Sequence, residues 1–371
     1  MAEELKRTAL YDEHVRLSGR MVPFAGWELP VQYDNTGPSV EHQTVRSAAG
    51  LFDIDHMGQV EVRGPDALAF LQRIQVSDVS DMAVLDARYS LMCYADGGIV
   101  DDIFIYRLGE QRWWVVVNAS NRAKDVAWMQ AQAHGFDLEL EDLSDGVYML
   151  ALQGPKAQAI LQKLTPADLA AMPFHTGLET TVAGVPAVLG ATGYTGEYGY
   201  ELFFPTEQAV SIWNTLLEAG KEEGLLPCGL AARDSLRFEP CLPLYGHEID
   251  QVTDPFCARL GWAVSFNKGD FVGRDALLKI KLEGPVKLLV GFEMVDKGVP
   301  RPDQPVAVDG VVVGRVTTGM KSPTTGRFVG LAFVPPSHAK LGSAIDILIR
   351  DQPKKATVVK RPFYVAAYRR K

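Results

Sequence analysis

Two adjacent carboxylates, Asp101 and Asp102, follow a glycine pair in the run Gly97-Gly98-Ile99-Val100-Asp101-Asp102-Ile103-Phe104-Ile105-Tyr106. Gly97-Gly98 can supply the positive φ of a tight hairpin. The β-branched and aromatic residues after it read as a buried strand. Side chains alternate along a strand, so one acid can face water while the other faces the interior. An unpaired interior carboxylate costs several kcal/mol. Such a group is either paired or it works, by stabilising a developing positive charge or by passing a proton. For an isolated Asp-Asp pair, the simpler reading is that both end the turn in solvent. Four further polar and aromatic segments shift the balance: Phe24-Ala25-Gly26-Trp27, Phe52-Asp53-Ile54-Asp55-His56-Met57-Gly58, Gly193-Tyr194-Thr195-Gly196-Glu197-Tyr198-Gly199-Tyr200-Glu201, and the stretch from Gly229 to Glu239 that includes Arg233-Asp234.

Several elements must position these groups. Residues 1–50 are turn-rich, with a helix expected over Glu41 to Ala49. Phe52 to Val62 alternates and reads as one strand. Gly64-Pro65-Asp66 starts a helix carrying Phe70, Leu71 and Ile74. Strands follow at Tyr89–Tyr94, Ile99–Tyr106 and Trp113–Asn118, then a helix from Arg122 to Ala133 and a strand at Val147–Leu152. This β-α-β-β-α-β order predicts a ferredoxin-like unit over 52–152. A second Gly-Pro start, Gly154-Pro155-Lys156, opens a similar plan, a weak internal repeat. Strands are expected at Val182–Leu189 and Tyr198–Phe204, with helices at Glu207–Ala219 and Leu230–Phe238. Residues 268–284 read as a helical linker. Six short strands between 287 and 360, separated by Gly, Pro and Asp turns, predict a C-terminal β-barrel or jelly-roll-like domain.

At 371 residues, two or three domains are expected. A charge of −9 argues against broad nucleic-acid or anionic-membrane binding. A local basic cluster remains at Lys354, Lys355, Lys360, Arg361, Arg369, Arg370 and Lys371. The opening Met1-Ala-Glu-Glu-Leu-Lys-Arg has no apolar signal core, and no segment reaches the roughly 18 apolar residues of a spanning helix. Cys93, Cys228, Cys241 and Cys257 form no CxxC and are expected to be free thiols in a reducing cytoplasm. The scattered histidines show no metal-ligand spacing, and no phosphate-binding glycine motif is present. No metal is expected.

The ordered set Phe-Ala-Gly-Trp, Phe-Asp-x-x-His-Met, Gly-Gly-x-x-Asp-Asp, Gly-Tyr-Thr-Gly-Glu and Gly-Leu-Ala-Ala-Arg-Asp-Ser-Leu-Arg resembles the T-protein family of the glycine cleavage system. The likeness runs from Thr8-Ala9-Leu10-Tyr11 to Arg361-Pro362-Phe363-Tyr364. It implies an α+β, multidomain fold: two ferredoxin-like α/β domains and a barrel in a cloverleaf around a folate-sized hole. The domains would be 1–51 with 153–267, then 52–152 carrying Asp102, and 285–371 after the linker. It implies an aminomethyltransferase that moves the methylene of an S-aminomethyl-dihydrolipoyl carrier protein (the H-protein) to tetrahydrofolate, releasing ammonia. No flavin is implied.

Carried over residue by residue, Asp102 matches the family's reacting acid, and Asp101 is left to cap the turn. Glu201 matches the acid that accepts the pterin's parallel N–H donors. Arg233 matches a folate-binding arginine; on the sequence alone, a surface salt bridge with Asp234 or Glu239 explains it as well. Tyr89, Tyr194, Tyr245 and Tyr368 match cavity-lining positions, as do Met57, Asn118 and Trp262. The chain departs from the family at Asp55, where serine is common; the extra charge either faces solvent or shifts its neighbours.

Two other readings compete. Non-enzymatic folate proteins of the iron–sulfur-assembly or tRNA-modification type carry Lys-Gly-Cys-Tyr-x-Gly-Gln-Glu. Here the stretch is Lys268-Gly269-Asp270-Phe271-Val272-Gly273-Arg274-Asp275, without the thiol. A folate-dependent demethylase of similar length would use the same cavity, while the related flavin oxidases need a domain this chain has no room for.

Overall fold

A turn at Gly97-Gly98 sends the chain into the strand Ile99–Gly109, as the β-branched run predicts. Gly97 has φ +92, and a Cβ on Gly98 would lie 1.9 Å from the Gln251 carbonyl oxygen, so no side chain fits there. These elements belong to a computed structural model that describes residues 4–370. Lys371 lies outside the described residues, as do the side chains of Arg369 and Arg370.

Ile99–Gly109 is the second strand of a five-stranded antiparallel sheet. The order is Ala87–Cys93, Ile99–Gly109, Arg112–Val117, Gly58–Arg63, Glu139–Asp142. Helices Ala67–Ile74 and Arg122–Gln132 bury Phe70, Leu71, Ile74 and Met129 against Val60, Val62, Ile103, Ile105 and Val115. The alternation rule thus holds: Ile103 and Ile105 enter this core on the Asp101 side of the strand.

Two sequence expectations change here. The run from Phe52 to Val62 is two strands, not one: Ala49–Asp53 and Gly58–Arg63 lie in different sheets. Asp53 causes the break. Its Oδ1 accepts the Asp55 amide, an Asx turn, while its Oδ2 is held by Thr8, His14 and Tyr148. Val147–Gln153 also leaves the predicted unit, pairing with Ala49–Asp53 and Gly199–Pro205 instead, and Glu139–Asp142 closes the five-stranded sheet.

The second sheet has six strands: Gly177–Val182, Val185–Gly190, Gly199–Pro205, Val147–Gln153, Ala49–Asp53 and Leu225–Pro227. Helices Ala157–Gln162 and Ala209–Ala219 cover one face with Ile160, Leu161, Ile212, Trp213 and Leu216. The internal repeat is a structural one. In each unit a strand leads through Gly-Pro into a helix. Three antiparallel strands follow, and the last pairs back with the first.

The turn-rich N-terminal region forms a small sheet of Lys6–Arg7, Gly19–Phe24 and Trp27–Tyr33, with Ala25-Gly26 at its hairpin. After the helix Arg274–Glu283 the chain closes a six-stranded barrel: Leu288–Met294, Pro305–Val308, Val311–Lys321, Phe328–Val334, Ala344–Ile349 and Gln352–Val359. Val290, Phe292, Val306, Val316, Ala332 and Ile347 fill it. Buried acids attach it. Glu239 accepts from Ser322 (2.5 Å), the Thr324 hydroxyl (2.7 Å) and Arg46 (2.8 Å). Glu248 pairs with Arg237 (2.8 Å) and accepts from Thr317 and Thr318 (2.6 Å each). No helix among the described residues is long and apolar enough to cross a membrane.

Candidate active site

Asp102 stands on the strand face that also carries Phe104 and Tyr106, two and four residues on. Its Oδ1 accepts from Asn118 Nδ2 at 2.7 Å, and its Oδ2 from the Tyr89 hydroxyl at 3.1 Å. Tyr89 lies on the adjacent strand; Asn118 directly follows the strand on the other side. Trp262 stacks on Tyr89, with ring centroids 5.7 Å apart at 26°, and is 71% exposed. Asp102 is half-buried. Burial, and then the charge of Asp101, push its carboxyl up to about 7 against the pull of Asn118 and Tyr89. An acid poised there can be a charge and a proton carrier at neutral pH.

Asp101 does not cap the turn in solvent. It is fully buried and accepts from the Asn118 amide (2.9 Å), Asn118 Nδ2 (3.0 Å) and Asn121 Nδ2 (2.7 Å). The strand's pleat turns it inward, and two asparagines from the next connection satisfy it. Asn118 Nδ2 therefore bridges the two acids.

On the second sheet, Glu201 of the strand Gly199–Pro205 holds the hydroxyls of Thr192 (2.5 Å) and Tyr106 (3.2 Å) on Oε2. Its Oε1 accepts nothing among the described residues. Burial raises its carboxyl above the usual range. Arg233, from the helix Leu230–Phe238, lies over the Tyr194 ring at 4.7 Å. It forms no ion pair among the described residues: Asp234 pairs with Arg237 (2.8 Å) and Glu239 with Arg46. The salt-bridge explanation for Arg233 is thereby lost. Phe52, Ile54, Gln153, Tyr194, Thr195, Glu201 and Arg233 line one small cleft. Tyr194 is held by its hydroxyl on the Pro243 carbonyl and lies in the fields of both Arg233 and Asp102.

The other motif residues act as scaffold. Gly193 is required because a Cβ would lie 1.9 Å from Gln153 Oε1. Gln153 in turn fixes the loop through the Thr192 carbonyl (3.0 Å) and the Thr195 hydroxyl (2.8 Å). Glu197 receives Arg46 (3.1 Å) and the Tyr364 hydroxyl (2.7 Å). Phe24 meets His56 edge-on at 5.6 Å, joining the first two motifs. His56 is buried with neither ring nitrogen partnered among the described residues; burial and then Arg233 push it down to about 3, so it is neutral.

The remaining residues fall in different places. Tyr245 donates to the Ile99 carbonyl (3.1 Å) and receives Lys124 (3.3 Å), behind the Asp101 side. Met57 packs with the cluster of Phe52 and Ile54. Tyr368 packs against Phe174 and edge-on to Tyr198. Asp55 does not face solvent. It is buried and accepts the Met149 amide at 3.2 Å, and burial with the charge of Asp53 pushes it up to about 9. It is therefore a neutral group at pH 7. Cys93, Cys228, Cys241 and Cys257 are free thiols. Tyr106 and Thr192, which hold Glu201, were not singled out from the sequence. Tyr106 had a signal, because it shares the strand face of Asp102. A separate groove of about 360 Å³, lined by Trp114, Val188, Phe203 and Pro205, contains none of these groups.

The family model described as the GCVT N-terminal domain matches residues 10–268. The glycine cleavage T-protein C-terminal barrel domain matches 287–364. An aminomethyltransferase of Symbiobacterium thermophilum is 52% identical, with all of both chains covered. One of Bacillus subtilis is 48% identical over 97% of this chain and 99% of the relative. The crystal structure of glycine cleavage system aminomethyltransferase T from Bartonella henselae superposes with a TM-score of 0.92 at 33% identity, covering 98% of this chain and 99% of that one. Matched in both halves and along nearly its whole length, the chain belongs to the glycine cleavage T-protein family of tetrahydrofolate-dependent aminomethyltransferases.

Proposed function

We propose that this chain moves the methylene of an S-aminomethyl-dihydrolipoyl carrier protein to tetrahydrofolate, with Asp102 as the reacting acid. The observation that carries the reading is the half-buried Asp102 carboxylate, tethered by Asn118 and Tyr89 and poised near neutrality, together with a cleft whose glutamate and arginine have unused bonding capacity. A flat, polar ring edge such as a pterin fits that second group: Glu201 Oε1 can accept N–H donors and Arg233 can meet an anionic tail or a ring carbonyl. The exchange breaks the C–S and C–N bonds of the aminomethyl group. It forms bonds from that carbon to N5 and N10 of the acceptor and passes the two displaced protons to the thiolate and to ammonia. Positive charge develops on the carbon as its bonds loosen. A fixed carboxylate there stabilises that charge and relays a proton.

Tyr194, Tyr89 and Trp262 support the reading as aromatic walls beside the two polar groups; Met57, Tyr245, Tyr368 and Asn118 complete the proposed lining. The working bodies are 1–53 with 147–267, 54–146, and 285–371 after the linker 268–284; the first body's bounds move from the expected 51 and 153 because the strands Ala49–Asp53 and Val147–Gln153 pair with each other. The partner is a lipoyl carrier protein and the compartment the cytoplasm. The experiment is ammonia release from aminomethylated lipoyl carrier, with and without tetrahydrofolate. Strong dependence on tetrahydrofolate is expected; release that ignores it would overturn the reading.

A further inference from the structure

Asp125 lies in the first turn of the helix Arg122–Gln132 and is fully buried, yet neither carboxylate oxygen accepts a hydrogen bond among the described residues. The exchange described above makes no use of it. Charged and titratable groups meet it from every side. The strand Ile99–Gly109 brings Asp101, its hydrogen-bonding neighbour, with Asp102 next in sequence. Its own helix brings Lys124, whose Nζ stands 3.6 Å from Oδ1 but donates to the Val100 carbonyl and the Tyr245 hydroxyl. Tyr94 and Tyr245 also lie within its field.

Two carboxylates in hydrogen-bonding reach cannot both be ionised in a dry setting. Among the described residues Asp101 has three N–H donors and Asp125 has none, so the proton belongs on Asp125. Burial and the Asp101 charge act the same way, pushing the Asp125 carboxyl up to about 10. The pair then carries one negative charge, on Asp101. Asn118 Nδ2 links that charge to Asp102, at 3.0 Å from Asp101 Oδ1 and 2.7 Å from Asp102 Oδ1.

We propose that Asp125 is a positioning residue for aminomethyl transfer: it keeps one proton and donates it to Asp101, so that a single fixed negative charge behind Asn118 sets the orientation and the basicity of Asp102. The proposal rests on the reading of Asp102 as the reacting acid. Asp125 touches neither the carrier arm nor the acceptor and acts only through Asp101 and Asn118.

The test compares two substitutions in the full chain. Asp125→Asn exchanges an O–H donor for an N–H donor at constant charge. Turnover should stay within about threefold and the pH profile should not move. Asp125→Leu removes the donor. Asp101, still held by its three N–H donors, keeps its charge but loses the donor that shared it, so its field on Asp102 strengthens. The acid limb of kcat should shift to higher pH by roughly one unit. Maximal kcat should fall about tenfold as Asp101 and Asn118 no longer hold Asp102 in one orientation. KM for tetrahydrofolate should hold. An Asn variant whose limb moves as far as that of the Leu variant would overturn the proposal, since Asp125 would then act as a charge. So would a Leu variant with the wild-type profile. If the Leu variant does not fold, infrared difference spectra of wild type against Asp125→Asn at about pH 8 decide. A carbonyl band of an un-ionised carboxyl, lost in the variant, supports the proposal; a difference spectrum without that band overturns it. That band does not depend on Asp102, so wild-type turnover by Asp102→Asn would remove the reacting-acid reading and leave the Asp125 proton standing.

Discussion

Asp102→Asn keeps the shape of the side chain and removes its charge. The carboxylate now accepts from two donors, Asn118 Nδ2 and the Tyr89 hydroxyl. An amide oxygen can still accept one of them, but the amide nitrogen meets the other donor, at a cost of about 1–3 kcal/mol. Against this, a like charge beside Asp101 disappears, so the melting temperature should change little. The rate is different. Losing one preorganised group that stabilises transition-state charge costs on the order of 10²–10³ in kcat. The pH dependence provides a second check. The Asp102 carboxyl is pushed up to about 7. Because the carboxylate form stabilises the cationic carbon, wild-type turnover should fall as pH drops through about 7. The residual rate of Asp102→Asn should show no such limb. Ammonia release at saturating carrier gives kcat; calorimetry gives folate affinity, which should be largely kept. Turnover within tenfold of wild type, or an unchanged inflection, would refute the argument.

Glu201→Ala and Arg233→Ala should each weaken tetrahydrofolate binding by about 1–3 kcal/mol while barely moving the melting temperature; a collapsed melting temperature with intact affinity would make either residue structural. Asp55→Asn should alter how stability depends on pH. The folded chain holds the Asp55 proton up to about pH 9, whereas the unfolded chain releases it near pH 4. Wild type thus loses stability from this group as pH rises across that window, at up to about 1.4 kcal/mol per pH unit, and the variant does not. Urea midpoints at rising pH should diverge in favour of Asn, and parallel curves would show that Asp55 is ionised. The family resemblance implies an acidic carrier, whose docking on this acidic chain needs a local positive surface; the candidate is the C-terminal cluster Lys354, Lys355, Lys360 and Arg361, with Arg369 and Arg370, whose side chains lie outside the described residues. Added salt, or Lys354→Glu with Lys355→Glu, should raise the KM for carrier and leave that for tetrahydrofolate unchanged. A carrier KM indifferent to both would exclude this surface.

Local rules carried the sequence reading a long way. The glycine pair and the β-branched run set the strand that carries Asp102, and the period of two put Asp101 on the opposite face. The six barrel strands and the Gly-Pro helices were also legible, since turn residues and apolar periods lie within a few positions of one another. What each polar group does was decided elsewhere. Asp101 looked like a turn cap until Asn118 and Asn121 folded over it. The run from Phe52 to Val62 alternates at both ends and reads as one strand, but Thr8, His14 and Tyr148 capture Asp53 and turn the chain into a second sheet. Arg233 and Arg237 lie four residues apart in one helix. Glu248 takes the second, while the first is left for the cleft. Asp55 reads as a charge and is a neutral acid because Asp53 and the packed turn surround it. In each case the residue's type and its face follow from local geometry. Its partner and its dielectric come from segments distant in sequence, which only the tertiary fold brings together.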